Sequence, residues 1–227
     1  RALSEAGHEV HLLLDLLEVA DSLGARKAHF LLDGRIHPTQ SLLSPTLGTF
    51  QNEALCVYLP SVTLNAEQLC RLQHPSGERA GGGGAKTSAR LLSIYTLAEV
   101  PCLVSGPAMY LFDPSGKYLT ASVSSESGSG GGGAGGGAGG GAAAGGTGRA
   151  YPIVPNELPR RFPDQFAPLK LFGFEPSAGK PLDGTLIRLP LRSHLLAAHS
   201  SLSSQFWSTS RVRTLLHVLR KHAPTLL

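Results

Sequence analysis

Residues 14–35, LDLLEVADSLGARKAHFLLDGR, decide the fold of this chain. Apolar residues recur at helical spacing through the first half and before it, which predicts a helix over residues 5–23. They form two stripes, so the helix should be packed on both sides and lie inside the domain. Gly24 is well placed to end the helix, because glycine accepts the left-handed conformation common at helix ends. A strand is predicted at residues 28–32.

Further elements follow from short apolar runs bounded by turn residues. We predict strands at residues 54–58, 108–112, 118–120 and 185–189, and short helices at residues 66–73 and 88–97. The sequence DPSG at residues 113–116 predicts a turn, because proline presets φ and glycine accepts a positive φ. That turn should join the strands on either side of it into a hairpin.

Two features of composition set the domain organisation. The chain has 227 residues, enough for one α/β core without metals or disulfides. Residues 128–148 are only Gly, Ala, Ser and Thr, so they should form a disordered insertion rather than a domain boundary. We therefore expect one domain over residues 1–227, with a C-terminal helical extension at 193–227. An N-terminal Arg1 suggests a fragment of a longer protein.

The charge and cysteine content narrow the class of protein. The net charge of +4 is mild, and the basic residues at 211–222 alternate with apolar ones as on the solvated face of an amphipathic helix. A phosphate-tracking surface is the alternative there, but nucleic-acid binders carry a wider basic balance. No apolar run approaches the about 20 residues of a membrane span. Three cysteines without CxxC spacing favour a reduced, intracellular and cytoplasmic setting.

Two kinds of catalytic site are disfavoured by the motifs. Nine histidines are present, but no carboxylate or cysteine completes a recognisable set of metal ligands, so no metal is expected. No G-x-S-x-G sequence supports a Ser-His-Asp hydrolase.

The first helix resembles that of a known family. Residues 15–25, DLLEVADSLGA, are similar to the E-L-L-Q-N-A-D-D-A-G-A helix of the sacsin/Nov branch of the GHKL ATPases. Asp15 stands where the family has its glutamate, and Val19 stands where the family has the asparagine that holds magnesium. Valine offers no oxygen to a hard cation.

Four further segments resemble the same family in the same order. They are QNEALCVY at 51–58, SIYTLAEVPCLVSG at 93–106, PDQFAP with LFG at 163–173, and DGTLIRLPLR at 183–192. The differences concentrate at ligand positions. Leu59 and Pro60 replace the polar pair that would face the nucleotide, and Ser88 and Arg90 replace the glycines of a phosphate loop.

The resemblance implies a fold. It is an α+β, two-layer sandwich of the GHKL (Bergerat) type, with a mixed, mainly antiparallel sheet and helices on one face. The Gly-rich insertion should interrupt this domain without dividing it.

The resemblance also implies where a nucleotide would bind. Asp15 is the candidate acid or base, and Thr185 is the position near adenine. Arg90 either obstructs the phosphates or binds them through its guanidinium. Thr185 is equally an ordinary β-branched strand residue. No cofactor is expected, and ATP with magnesium would bind only if the pocket is kept.

Three functions follow from these observations. The first is a non-catalytic, sacsin-like module for chaperone-associated folding or scaffolding, whose partners are other proteins rather than nucleic acid or membrane. The second is an ATP-binding domain with slow turnover through Asp15 and Arg90. The third is a linker-rich remnant without a ligand, which would not unfold cooperatively.

Overall fold

The computed structural model describes residues 2–65, 68–69, 90, 92–119 and 148–222. Along this part, the helices are α1 (Ala2–Ser22), α2 (Ile94–Leu97), α3 (Glu157–Arg161), α4 (Pro163–Phe166), α5 (His194–His199) and α6 (Thr209–His222). The strands are β1 (His29–Asp33), β2 (Ala54–Pro60), β3 (Cys102–Gly106), β4 (Ala108–Phe112), β5 (Gly148–Pro152) and β6 (Leu182–Pro190). Short 3-10 helices lie at Pro45–Phe50, Ala167–Leu169 and Pro176–Ala178.

One sheet organises the domain. Its six described strands run in the order β1-β2-β6-β3-β4-β5, and every neighbouring pair is antiparallel. The α+β class with an antiparallel sheet is confirmed, whereas the parallel component expected of a mixed sheet is not seen among these strands. β6 lies in the interior of the sheet, and eight of its nine residues are buried.

Side chains alternate across the strands and build a core on each face. The helix-side core lies under α1 and α6 and includes Leu13, Leu16, Leu55, Val57, Ile187 and Val212. The loop-side core lies on the opposite face and includes Phe50, Cys56, Val104, Met109, Phe166 and Leu186. The expectation of helices on one face was incomplete, because α4 and two 3-10 helices cover the second face with these apolar side chains.

The first helix ends as the sequence predicts. Gly24 has φ +76°, the left-handed conformation expected of a C-terminal glycine. The N–H of Ala25 donates to the Ala20 carbonyl at 2.9 Å, and that of Gly24 donates to the Asp21 carbonyl at 2.8 Å. These two bonds form a Schellman motif, which stops α1 and turns the chain toward β1.

The predicted hairpin around residues 113–116 is wrong, although its turn is present. The Gly116 N–H donates to the Asp113 carbonyl at 3.0 Å, and Gly116 has φ +66°. Residues 118–119 are bends rather than a strand, because their N–H groups donate to the buried Asp113 carboxylate instead of to a neighbouring strand. The neighbours of β4 are β3, reached through a tight turn at Gly106, and β5.

Other predicted segments differ from the structure in extent. Within the predicted helix at 88–97, the described residues are helical at 90 and over Ile94–Leu97, with a turn at 92–93. Of the predicted helix at 66–73, only residues 68–69 are described, and both are helical. The tract at 128–148 lies outside the described residues up to 147, and residue 148 begins β5.

The C-terminal segment belongs to the helix-side core. Trp207, Val212, Leu215 and Leu219 are all buried there, and α6 packs against α1. Arg211 of α6 binds the Glu9 carboxylate of α1 and lies 4.2 Å from the Trp207 ring centre. The apolar face of the predicted helical extension is thus part of the helix-side core.

Candidate functional site

The candidate nucleotide positions on α1 face different surroundings. Val19 is 1% exposed and lies inside the helix-side core. Asp15, one turn earlier, is half-buried. Glu18 and Asp21 are exposed. The position that holds magnesium in the resembled family is therefore a packing residue here.

Leu59 of β2 and Thr185 of β6 are directly paired neighbours on the helix-side face. Leu59 is 1% exposed and Thr185 is 0% exposed. Leu59 stands where the resembled family offers a polar side chain, and its side chain is part of the helix-side core. At this position of β2 the contacts are therefore apolar.

The Thr185 hydroxyl is part of a continuous chain of hydrogen bonds. The Leu64 N–H donates to Ser105 Oγ at 2.8 Å, and Ser105 Oγ lies 2.9 Å from Thr185 Oγ1. Thr185 Oγ1 in turn lies 2.7 Å from the Val62 carbonyl, which can only accept. Thr185 must therefore donate to Val62 and accept from Ser105, so its one proton is already used.

Arg90 contacts α1 rather than the sheet. Its guanidinium lies 2.6 Å from the Glu18 carboxylate, and the two side chains are 43% and 51% exposed. Asp15, Arg90 and Thr185 are thus all associated with the α1 side of the sheet. Within the described part of the chain, no hydrogen bond or ion pair joins any two of these three residues.

The most deeply buried charges lie elsewhere, between α2 and the segment after β6. Arg192 Nε lies 3.0 Å from Glu99 Oε2, and both side chains are 0% exposed. The remaining guanidinium nitrogens donate to carbonyl groups around the end of α2, those of Tyr95, Thr96 and Ala98. Ser200 Oγ donates to the same Glu99 oxygen at 2.6 Å. This ion pair fixes a helix end to the sheet.

A second polar cluster lies at the end of β1. Asp33 Oδ1 accepts from Arg35 Nε at 2.7 Å, and Asp33 Oδ2 lies 3.1 Å from His37 Nε2. Burial by itself would raise the pKa of Asp33, but hydrogen bonds from Arg35 and His37 outweigh it and hold the pKa at about 2. Burial lowers the pKa of His37, and its bond to Asp33 offsets only part of that effect.

His37 should make stability depend on pH. Its folded-state pKa lies below the usual value of about 6.5, so the unfolded chain gains the proton first as the pH falls. Stability should therefore decrease from about pH 7 toward about pH 5. The Asp33 contribution is lost only as the pH falls toward 2, outside this window.

The variant His37→Gln, whose amide can still donate to Asp33, should flatten this part of the stability–pH curve measured by urea denaturation. His217→Gln, at an exposed position of α6, is the matched control and should leave the slope unchanged. Equal slopes for the wild-type chain and His37→Gln would contradict this assignment.

Four buried charged residues were not predicted from the sequence. Asp33, Glu99, Arg188 and Arg192 are all less than 5% exposed. The sequence does mark two of them, because Arg188 and Arg192 are the charged residues in the otherwise apolar segment LIRLPLR at 186–192. Charged side chains are buried almost solely when they are paired or hydrogen-bonded, so such an interruption predicts an internal bonding role.

A family model for the sacsin domain matches residues 3–132, more than half of the chain. The chain belongs to the sacsin domain family. It is also 26% identical to human sacsin in an alignment 211 residues long that covers 89% of this chain. That alignment spans 4% of the length of human sacsin, so this sacsin-family chain corresponds to a small part of that relative.

Two general features of the sacsin-family chain bear on its setting. In the part of the chain that the structure describes, no helix combines the length and the apolar character that crossing a bilayer requires. Over the same residues, no three or more His, Cys, Asp or Glu side chains form a group that could hold a metal ion. The expected lack of a metal stays a prediction.

Proposed function

We propose that this chain is a non-catalytic, sacsin-related module that acts on other proteins in chaperone-associated folding or scaffolding. Its frame is of the GHKL type, and its nucleotide pocket has been converted into core. The observation that carries the proposal is the Thr185 hydroxyl, which is fully buried and already donates to the Val62 carbonyl. The hydroxyl has no proton left to donate to a nucleobase, and its oxygen already accepts from Ser105.

The neighbouring positions support the same conclusion. Val19 and Leu59 are both packed into the helix-side core, where an ATP site would need a magnesium ligand and a hydrogen-bonding group. Adenine bound there would have an exocyclic amine without a hydrogen-bond acceptor, which would weaken binding by about 1–3 kcal/mol. Binding would also require displacing apolar side chains that contribute to folding.

Arg90 supports the proposal more weakly. Its guanidinium is engaged by Glu18 at 2.6 Å on the surface of α1. An exposed pair of this kind contributes only about 0–1 kcal/mol, so it could open for an anion. Arg90 alone, however, supplies neither a general base nor a metal site. Hydrolysis would need both, together with positioned water.

The partner class is proposed from the family. The chain carries no motif for nucleic acid, and we place it in the cytoplasm with other proteins as its partners. Any cofactor-dependent role would need ATP and magnesium to bind at Asp15, Arg90 and Thr185. We propose that they do not.

One experiment tests nucleotide independence and protein binding together. The chain should melt cooperatively at the same temperature with and without millimolar MgATP, and it should slow the aggregation of reduced, unfolded lysozyme equally in both conditions. A ligand at about 100 times its Kd would add about 2.7 kcal/mol of stability, a shift of several degrees.

The outcomes separate the three functions named above. An upward shift with MgATP that is lost in Arg90→Met would support an ATP-binding domain and contradict the filled pocket. A melt without cooperativity would support the linker-rich remnant. A cooperative, ATP-independent melt with no effect on lysozyme aggregation would contradict the chaperone-associated role while leaving the filled pocket intact.

A further inference from the structure

A small cavity with three polar side chains in its lining lies on the loop-side face of the sheet, away from α1. Its volume is about 20 Å³. Its walls come from the 3-10 helix at Pro45–Phe50, from β3, β4 and β6, and from the segment around α4. Most of the lining is apolar, but Gln51, Gln165 and Arg188 also line it. Each of these three side chains has a buried polar atom without a hydrogen-bond partner among the described residues.

Arg188 supplies a hydrogen-bond donor. The residue is 3% exposed, and its two terminal nitrogens donate to the carbonyls of Phe50 at 2.7 Å and Asn52 at 2.6 Å. Its third group, Nε–H, is buried and has no partner among the described residues. Arginine cannot lose its proton in a protein, so this donor persists at every accessible pH.

The residues paired with Arg188 on the neighbouring strands cannot satisfy that donor as anions. Cys56 of β2 and Cys102 of β3 are both in register with Arg188. Burial raises the pKa of each thiol to about 12, so both are neutral near pH 7. Sulfur in a thiol is a weak acceptor.

Two glutamines supply hydrogen-bond acceptors. Gln51 is 3% exposed and Gln165 is 7% exposed. The side-chain oxygen of each is buried without a hydrogen-bond partner in the described part of the chain. The cavity wall therefore contains one unsatisfied donor group and two unsatisfied acceptors. Buried polar groups of native proteins are nearly always satisfied by protein or by ordered water.

We propose that this cavity binds one structural water molecule, which accepts from Arg188 Nε–H and donates to Gln51 Oε1 and Gln165 Oε1. A water has one or two acceptor sites and two donors, so the three groups match its bonding capacity. Buried waters make about three hydrogen bonds on average, and a cavity needs at least about 10–15 Å³ to hold one. The observed volume of about 20 Å³ is enough for one water molecule.

A small anion fits the same cavity less well. A halide would accept from Arg188, but it would leave both glutamine oxygens unsatisfied and would face their negative ends. The water instead joins three segments that are far apart in sequence: the residue after the first 3-10 helix, α4, and the centre of β6. It would thereby fix the covering segments of the loop-side face to the sheet.

Water contact is tested first by NMR on the full chain. Arg188 Hε should show a rotating-frame Overhauser cross-peak to a long-lived water molecule, and the peak should weaken or vanish in Gln165→Met. Absence of the cross-peak in the wild-type chain would overturn the proposal. A peak of undiminished intensity in Gln165→Met would also overturn it, because the water would then not bind Gln165.

The stability of Gln165→Met provides an independent test through its sign. Methionine has nearly the same shape as glutamine but no acceptor. If water is bound, the variant removes one of its partners and the urea midpoint should fall. If the cavity is dry, the variant removes an unsatisfied oxygen and the midpoint should rise, which would contradict the proposal. Gln205→Met, at an exposed position, is the matched control and should leave the midpoint unchanged.

A soak of crystals in bromide distinguishes water from an anion. An anomalous bromide peak beside Arg188 Nε would overturn the proposal, because the site would then bind an anion rather than water.

Discussion

The Arg192→Met variant should unfold with about 3–5 kcal/mol less free energy than the wild-type chain, because it leaves a buried carboxylate without its cation. Arg192 and Glu99 are both 0% exposed. Among the described residues, Ser200 Oγ would then be the one donor left to the Glu99 carboxylate. Methionine keeps much of the volume of the arginine stem, so the loss reports on charge and hydrogen bonding rather than on a cavity. Urea denaturation followed by circular dichroism measures it.

The loss has a second component at the end of α2. Arg192 donates to the carbonyls of Tyr95, Thr96 and Ala98, which lie at or just after the end of α2, where a helix relies on donors from outside it. Thr96 would keep one bond, from Trp207 Nε1 at 2.9 Å. The other two carbonyls would be buried without this donor. We therefore expect the region around α2 to lose amide-exchange protection before the sheet does.

Arg90→Met is the matched control for this substitution. It makes the same chemical change in an ion pair whose side chains are 43% and 51% exposed, so it should cost less than about 1 kcal/mol. The double variant Arg192→Met/Glu99→Leu should recover part of the loss, because an apolar pair can replace a buried ion pair. Equal effects of Arg192→Met and Arg90→Met would contradict the structural role assigned to Arg192.

The elements that the sequence predicts well are those fixed by local signals. The two apolar stripes before Gly24 predict α1, and the glycine takes the left-handed φ that ends it. The run at 108–112 coincides with β4, and the alternation at 185–189 lies within β6. In each case, the periodicity and the bounding residues lie within one stretch of chain.

The parts that the sequence did not predict depend on distant partners. β5 begins in a run of glycine and becomes a strand by pairing with β4. The Thr185 hydroxyl is satisfied by Ser105, 80 residues away, and by Val62, 123 residues away. Nothing in the strand sequence separates a hydroxyl that faces a ligand from one that faces a backbone carbonyl. The family resemblance located Thr185, and the structure shows which groups use it.

The segments that resemble the sacsin family most closely include the main buried polar contacts. Residues 93–106 supply Glu99 and Ser105, and residues 183–192 supply Thr185 and Arg192. Two residues that depart from the family pattern, Val19 and Leu59, belong to the helix-side core. This combination of kept internal hydrogen bonds and apolar core residues is what we expect if the domain is, as proposed, folded without a nucleotide site.

The Gly184→Ala variant should lose about 3–5 kcal/mol, because both the backbone conformation and the space around this residue require glycine. Gly184 has φ +132°, which L residues rarely adopt, at a cost of about 1–3 kcal/mol. A Cβ at this position would lie 2.4 Å from the Leu59 carbonyl oxygen and 3.1 Å from the Ser61 nitrogen. Neither backbone atom can move without breaking the pairing of β2 with β6, so overpacking adds about 1–3 kcal/mol.

Gly116→Ala separates these two contributions. Gly116 also has a positive φ, +66°, but a Cβ there would meet nothing within 4 Å. It should therefore lose only the conformational part, about 1–2 kcal/mol. The excess loss in Gly184→Ala measures the close approach of β2 to β6, beside the Leu59–Thr185 pair. If the two variants lost equal stability, the strands would have room to separate at this point, and the dense packing by which we propose that a nucleotide is excluded beside Thr185 would be contradicted.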